Sequence, residues 1–112
     1  MKTMGCHIGV ISVVIIVGAA FAVAQSDAPT NYVAKCQACH GPTGAGETPT
    51  GKMLKVKSFN DSQVVSLTDA SLTTSIANGS GKMPAYQNEF SGDQISNLVQ
   101  YLHQLQTQLQ GN

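Results

Sequence analysis

Cys36-Gln37-Ala38-Cys39-His40 is the stretch on which the fold of this chain turns. Its two cysteines share one helical turn, and a histidine follows the second directly. Three chemistries use such a spacing: a thiol/disulfide redox pair, part of a zinc site, and covalent attachment of a haem. In the last of these the two sulfurs reach the two vinyl groups of the ring as thioethers, and the adjacent imidazole reaches the iron. A redox pair is expected beside a strand-helix pattern, which the surrounding sequence lacks. A zinc site needs about four Cys, His or carboxylate ligands, and beyond residue 24 the only other histidine is His103. The expected chemistry is therefore haem attachment through Cys36 and Cys39, with His40 as one axial ligand of the iron.

Upstream, Met1 to Ala24 has the form of an export signal: Lys2 near the amino terminus, an apolar stretch from Ile8 to Val23, and Ala22-Val23-Ala24 before Gln25. That stretch spans 16 residues, shorter than the ~20 of a membrane-crossing helix, so removal is expected. A retained segment would instead tether the domain outside the membrane. Cys6 and His7 leave with the signal. The chain divides into an export signal, residues 1–24, and one domain, residues 25–112, located in the periplasm or otherwise outside the cytoplasm, where haem attachment of this kind takes place.

Composition narrows the function further. Of 112 residues, 6 are basic and 6 acidic, and charged residues make up 11%, which gives no reason to expect nucleic acid or an acidic membrane surface as partner. A hydrophobic share of 42% excludes a disordered tail, and 3 cysteines exclude a disulfide-dense miniature fold. With no Trp, 3 Tyr and 3 Phe, so short a domain lacks core material of its own. A flat apolar ring bonded to the chain at two points supplies interior and staple together.

Downstream, the pattern is helical. Tyr32 to Ala38 predicts a short helix, with Asp27 or Thr30 as its cap and Pro29 in its first turn. Gly41 to Gly51, rich in Gly, Pro and Thr, predicts a long loop. A short segment follows around Asp61 to Leu67. Thr68 or Asp69 then opens a helix containing Leu72 and Ile76, which Asn78-Gly79 closes. Ser80 to Phe90 is irregular. Ser91-x-x-Gln94 forms a capping box ahead of an apolar stripe of Ile95, Leu98, Val99, Leu102, Leu105 and Leu109. Gln104, Gln106, Gln108 and Gln110 read as the solvated face and frayed end of that last helix. No run alternates long enough for a strand, and the fold class is all-α.

The second axial ligand is expected to be Met83, in a loop stiffened by Pro84. A thioether is soft and neutral, favours ferrous iron and raises the reduction potential. Its bland reading is a flexible core filler. The rival is Met53, in a segment better suited to lining the haem edge.

Cys36-x-x-Cys39-His40, Lys82-Met83-Pro84-Ala85-Tyr86 and Leu98-Val99-Gln100-Tyr101-Leu102 together resemble a small class I c-type cytochrome, over essentially all of Gln25 to Leu105. The resemblance implies three to five short helices wrapped around one covalently bound, His/Met-ligated haem c, in a bacterial or plastid electron carrier. It implies that Tyr32 packs against the last helix at Leu98 and Tyr101. It also implies that a proline carbonyl, of Pro49 rather than Pro42, accepts the second N–H of His40 and orients the ring. The absence of Trp and Arg departs from relatives that use them to bind the haem propionates.

With both axial positions occupied, the expected function is one-electron transfer between redox proteins, without catalysis. A monomer would dock transiently at the haem edge, around Gln37, Ala38, Pro84 and Ala85, with modest long-range steering. Two readings compete. One is a haem-based gas sensor or peroxidase-like enzyme with a labile Met83, for which Glu89 is the only nearby acid and no arginine is present. The other is a membrane-anchored haem subunit of a larger oxidoreductase. Lys52, Lys55 and Lys57 suit propionates, a docking patch or merely a solvated face. Phe59, Tyr86 and Phe90 suit core and pocket packing, with the Tyr86 hydroxyl a candidate propionate donor, and His103 suits the surface.

Overall fold

A computed structural model describes residues 27–112, with positions 9, 13–15 and 18–19 of the N-terminal segment. The cleavage pattern at Ala22-Val23-Ala24, together with Cys6 and His7, lies outside the described residues. Among the described residues there are six helices and no sheet: α1 (Ala28–Lys35), α2 (Gln37–His40), α3 (Pro49–Leu54), α4 (Ser62–Val65), α5 (Asp69–Asn78) and α6 (Gly92–Gln110). None of them is long and apolar enough to cross a membrane.

Local sequence explains most of the boundaries. Ser91 and Gln94 complete the capping box, with Gln94 N–H donating to Ser91 Oγ at 3.2 Å and Ser91 N–H to Gln94 Oε1 at 2.9 Å. Thr68 caps α5 by accepting from Ser71 N–H at 3.1 Å, and Gly79 closes it at φ 80°. Asp61 caps α4 through Gln63 N–H at 2.9 Å. The N-terminal helix starts at Ala28 rather than Tyr32, behind Asp27, whose side chain makes no capping bond and instead accepts from Gln94 Nε2 at 3.0 Å.

Two expectations are corrected. The long loop ends at Thr48, because the Thr48 hydroxyl accepts from Gly51 N–H at 2.9 Å and Pro49 supplies a preformed first turn, so Pro49, Thr50 and Gly51 belong to α3. Nor is the glutamine tail uniformly solvated. The last helix runs to Gln110, and Gln106 is buried at 8% exposure, with its Nε2 donating to the Phe59 carbonyl at 2.9 Å. A single hydrogen-bonding target lets a polar residue sit on the apolar side of a helix.

The core is the α6 stripe of Ile95, Leu98, Val99, Leu102 and Leu105, met by Ala28 and Tyr32 of α1, Leu72 of α5, and Phe59 and Phe90 from connecting segments. Burial of each large apolar side chain contributes ~1.5–3 kcal/mol. Helices α1 and α5 both pack on α6, and α2 packs on α3. Tyr32 meets Tyr101 edge-on, ring centroids 5.3 Å apart, beside the buried Leu98, as the resemblance implied. Its hydroxyl donates to the Gly41 carbonyl at 2.7 Å. The α1–α6 crossing therefore also fixes the chain where it leaves His40.

Candidate cofactor site

A cleft of about 370 Å³ opens against the core. Cys36, Cys39 and His40, from one stretch, and Met83, from a distant part of the chain, all line it. Apolar side chains form the remaining walls, among them Leu54, Val56, Phe59, Val64, Leu67, Leu72, Ile76, Leu98 and Leu102. Met53 does not take part: it is 72% exposed on α3, with the neighbouring Leu54 turned to the cleft instead. The expectation that Met53 lines the edge is corrected by helical geometry, since successive residues of α3 point in different directions.

The histidine end is packed tightly. Cys36 N–H bonds to the Tyr32 carbonyl at 2.8 Å, and His40 N–H to the Cys36 carbonyl at 3.0 Å, so both cysteines and the histidine are carried on one continuing helical path. Thr48 closes it from the other side, its hydroxyl donating to the Ala38 carbonyl at 2.7 Å. Helix α3 approaches so closely that a Cβ on Gly51 would collide with the Cys39 carbonyl. The Phe59 ring lies against the His40 imidazole with centroids 4.8 Å apart, and a Cβ on Gly44 would strike that ring. Burial lowers the proton affinity of His40, which keeps the imidazole neutral. Its Nδ1 is buried without a hydrogen-bond partner, while the residue itself lines the cleft. The bond expected from Nδ1 to a proline carbonyl is absent at Pro49 and at Pro42 alike.

At the methionine end the chain makes a tight turn. Ser80 and Met83 exchange backbone hydrogen bonds of 3.1 and 2.9 Å, with Gly81 at φ 56° in the first central position. The next residues are pinned to the end of α5, Tyr86 N–H to the Ile76 carbonyl at 3.0 Å and Gln87 N–H to the Ala77 carbonyl at 3.1 Å. The Tyr86 hydroxyl donates to the Lys35 carbonyl at 3.1 Å, next to Cys36, and its ring stacks on Phe90. That hydroxyl is thus occupied by backbone, which corrects its candidacy as a propionate donor.

The chemistry of these groups discriminates among the three uses of the C-x-x-C spacing. Burial first, and Cys39 second, push the Cys36 thiol up to about 11. A thiol so held stays protonated near neutrality, the reverse of the low-pKa cysteine of a disulfide-exchange pair. Among the described residues no group of three or more His, Cys, Asp and Glu side chains could hold a metal ion, so they offer no zinc ligand set. Two free thiols, a neutral imidazole and a thioether around an apolar cleft fit a haem.

Comparison with known proteins reaches the same chemistry. Residues 24–102 match the protein-family profile described as "Cytochrome C oxidase, cbb3-type, subunit III". The chain belongs to that family. Like this chain, the solved "KustC0563 c-type cytochrome" has a small helical fold: at 22% identity the match covers 70% of this chain and 96% of that one with a TM-score of 0.65, a likeness of fold. None of the curated proteins matches. The domain is accordingly a haem-binding, electron-transfer-associated cytochrome c of the cbb3 subunit III family, all-helical and with the cysteine spacing of haem c attachment.

Charge around the cleft is one-sided. Lys35, Lys55, Lys57 and Lys82 contribute to its lining and no Asp or Glu does, although Glu89 pairs with Lys35 at 3.4 Å. Lys52 of the expected lysine cluster is not part of the lining. The balance of total charge hides this asymmetry, since no acid is part of the lining itself. Phe59 takes the pocket and core place expected of it, as a wall of the histidine, whereas Gln106 behind it and the Thr48 staple are the site residues that the sequence does not reveal.

Proposed function

We propose that the domain is an extracytoplasmic one-electron carrier with one covalent haem c, attached through Cys36 and Cys39 and ligated axially by His40 and Met83. The observation that carries this reading is the convergence of the Cys36–His40 stretch and Met83, distant from it in sequence, on one apolar cleft. When bound, the haem supplies reversible one-electron exchange at iron. The protein's part is to hold a neutral imidazole on one side and a soft sulfur on the other, to exclude water with Leu72, Leu98 and Leu102, and so to favour the ferrous state. With no arginine in the chain, the cleft lysines are the cations at hand for the haem propionates.

Electron donor and acceptor dock transiently at the cleft mouth, and both axial positions being taken leaves no place for a substrate. The lysine-lined mouth favours acidic partner surfaces, so association slows as salt rises, more than the neutral total charge suggests. Residues 1–24 direct export and are removed. The visible spectrum of the exported protein tests the assignment. Sharp low-spin bands on reduction with dithionite, with the weak far-red band of a methionine sulfur on ferric iron, are expected. Broad high-spin bands, or binding of carbon monoxide at low concentration, would replace the carrier with a sensor or peroxidase-like enzyme.

A second reading is favoured by the family match: the domain is the haem subunit of a larger membrane oxidoreductase. It differs from the first in the fate of the N-terminus. The mass of the mature protein separates them, a retained residues 1–24 supporting the subunit and a start at Gln25 the free carrier.

A further inference from the structure

Phe59 is held by its backbone at both ends. Its N–H donates to the Gly44 carbonyl at 2.8 Å, and its carbonyl accepts from Gln106 Nε2 at 2.9 Å. Donation to Phe59 fixes the orientation of the Gln106 amide, whose Oε1 then faces His103 Nδ1 at 2.8 Å. The other ring nitrogen, His103 Nε2, meets Asp69 Oδ1 at 2.7 Å. Both nitrogens thus face acceptor oxygens, and only a doubly protonated imidazole can donate to both. A neutral ring has a single N–H. It must abandon one acceptor, or the Gln106 amide must turn over and give up Phe59.

We propose that Gln106 is a positioning residue for His40, holding Phe59 against the imidazole, and that the charge on His103 governs this hold. The proposal rests on His40 being the iron ligand. The groups facing His103 are few. From α5 comes Asp69, whose second oxygen accepts from Gln100 Nε2 at 3.4 Å, and from α6 itself comes Gln106. Ser58 to Asn60 carry no charge, and Lys57 and Asp61 on either side make no bond to His103. The Asp69 hydrogen bond first, and Gln106 second, hold the His103 proton affinity above its ordinary value. As pH rises through that raised value the chain from Asp69 to Phe59 loosens, the ring beside His40 shifts, and the reduction potential moves with it.

The test uses the ferrous, diamagnetic holoprotein. Proton NMR follows the His103 ring and the Phe59 ring against pH, and the midpoint potential is measured over the same range. The expected result is one shared titration midpoint in all three. Asp69→Asn, at a side chain 62% exposed, should leave the fold intact and carry all three midpoints to lower pH together. In Gln106→Leu, His103 should still titrate while Phe59 and the potential no longer follow it. Phe59 shifts that stay flat through the His103 titration, or a potential that does not move with His103 in Asp69→Asn, would overturn the proposal. Failure of His40 ligation is read separately, as loss of the sharp low-spin bands.

Discussion

His40 ends a short helix that Thr48 staples, that Gly51 lets α3 approach, and that Phe59 covers from the core side, whereas Met83 sits in a two-residue turn flanked by exposed Gly81, Lys82, Pro84 and Ala85. The histidine end is defined by packing. The methionine end is defined by a handful of backbone hydrogen bonds and the Tyr86 tether. Packed contacts are lost together or not at all, while near-surface hydrogen bonds open locally at lower cost. One wall of the cleft is thereby part of the global fold, and the other can change without unfolding it.

The sharpest way to break this contrast is Phe59→Ala. Phe59 is 6% exposed and touches both His40 and Tyr32. Its truncation should cost ~3–5 kcal/mol, the usual range for a buried aromatic. Urea unfolding of the holoprotein measures this, and a loss below about 1 kcal/mol would show that the histidine end is not built on packing. Gly51→Ala comes next. The added methyl meets the Cys39 carbonyl, a backbone atom that cannot swing aside, so the cost lies near the ~3 kcal/mol upper end of overpacking. The yield of covalently attached haem should fall in parallel, because the turn carrying both cysteines is displaced.

Of these two residues, Phe59 is legible as pocket packing, while Gly51, read as part of a loop, marks the limit of what the sequence discloses. The helix from Thr68 to Gly79, the capping box at Ser91 and the α6 stripe are local patterns, and local rules reach them. Cys36, Cys39 and His40 are adjacent, and their spacing carries its own chemistry. Met83 is brought to the same cleft by the turn after α5, a placement that Pro84 and Gly79 hint at without fixing. Gln106 defeats the pattern, because its one carbonyl target lies 47 positions away in the chain. Pro49 misleads for a related reason: a proline in a Gly-rich run signals a loop, but with Thr48 as a cap it starts a helix. Non-local partners decide such cases, and composition cannot supply them.

On the methionine side, Met83→Ala should leave the covalent haem in place and cost only ~1–2 kcal/mol, less than a fully buried methionine, since the side chain is half-buried in a turn. The expected signature is chemical: a lower potential, loss of the far-red band and an open coordination position that takes carbon monoxide. An unchanged spectrum and potential would move the ligand role to another group. Unfolding comparable to that of Phe59→Ala would erase the distinction between the two walls.

The smallest effect sharpens the comparison through pH, because the folded structure shifts the proton affinities of the two histidines in opposite directions. Burial lowers the folded-state proton affinity of His40, so its contribution to stability is complete above the ordinary 6.5 and is lost as pH falls below it toward the lowered folded value. Coordination of iron acts in the same direction, since it too requires the neutral ring. His103 is raised, mainly by Asp69, so its contribution is complete below 6.5 and is lost as pH rises through the raised folded value. With its side chain 40% exposed, the pair is screened by water and contributes within the ~0.2–1 kcal/mol of a surface ion pair. Urea midpoints measured from acid to mildly alkaline pH should therefore show a shallow alkaline decline that His103→Asn abolishes, while the acid decline persists in that variant. An alkaline limb that survives His103→Asn would assign it to a group elsewhere, and an acid limb that vanished would separate it from His40.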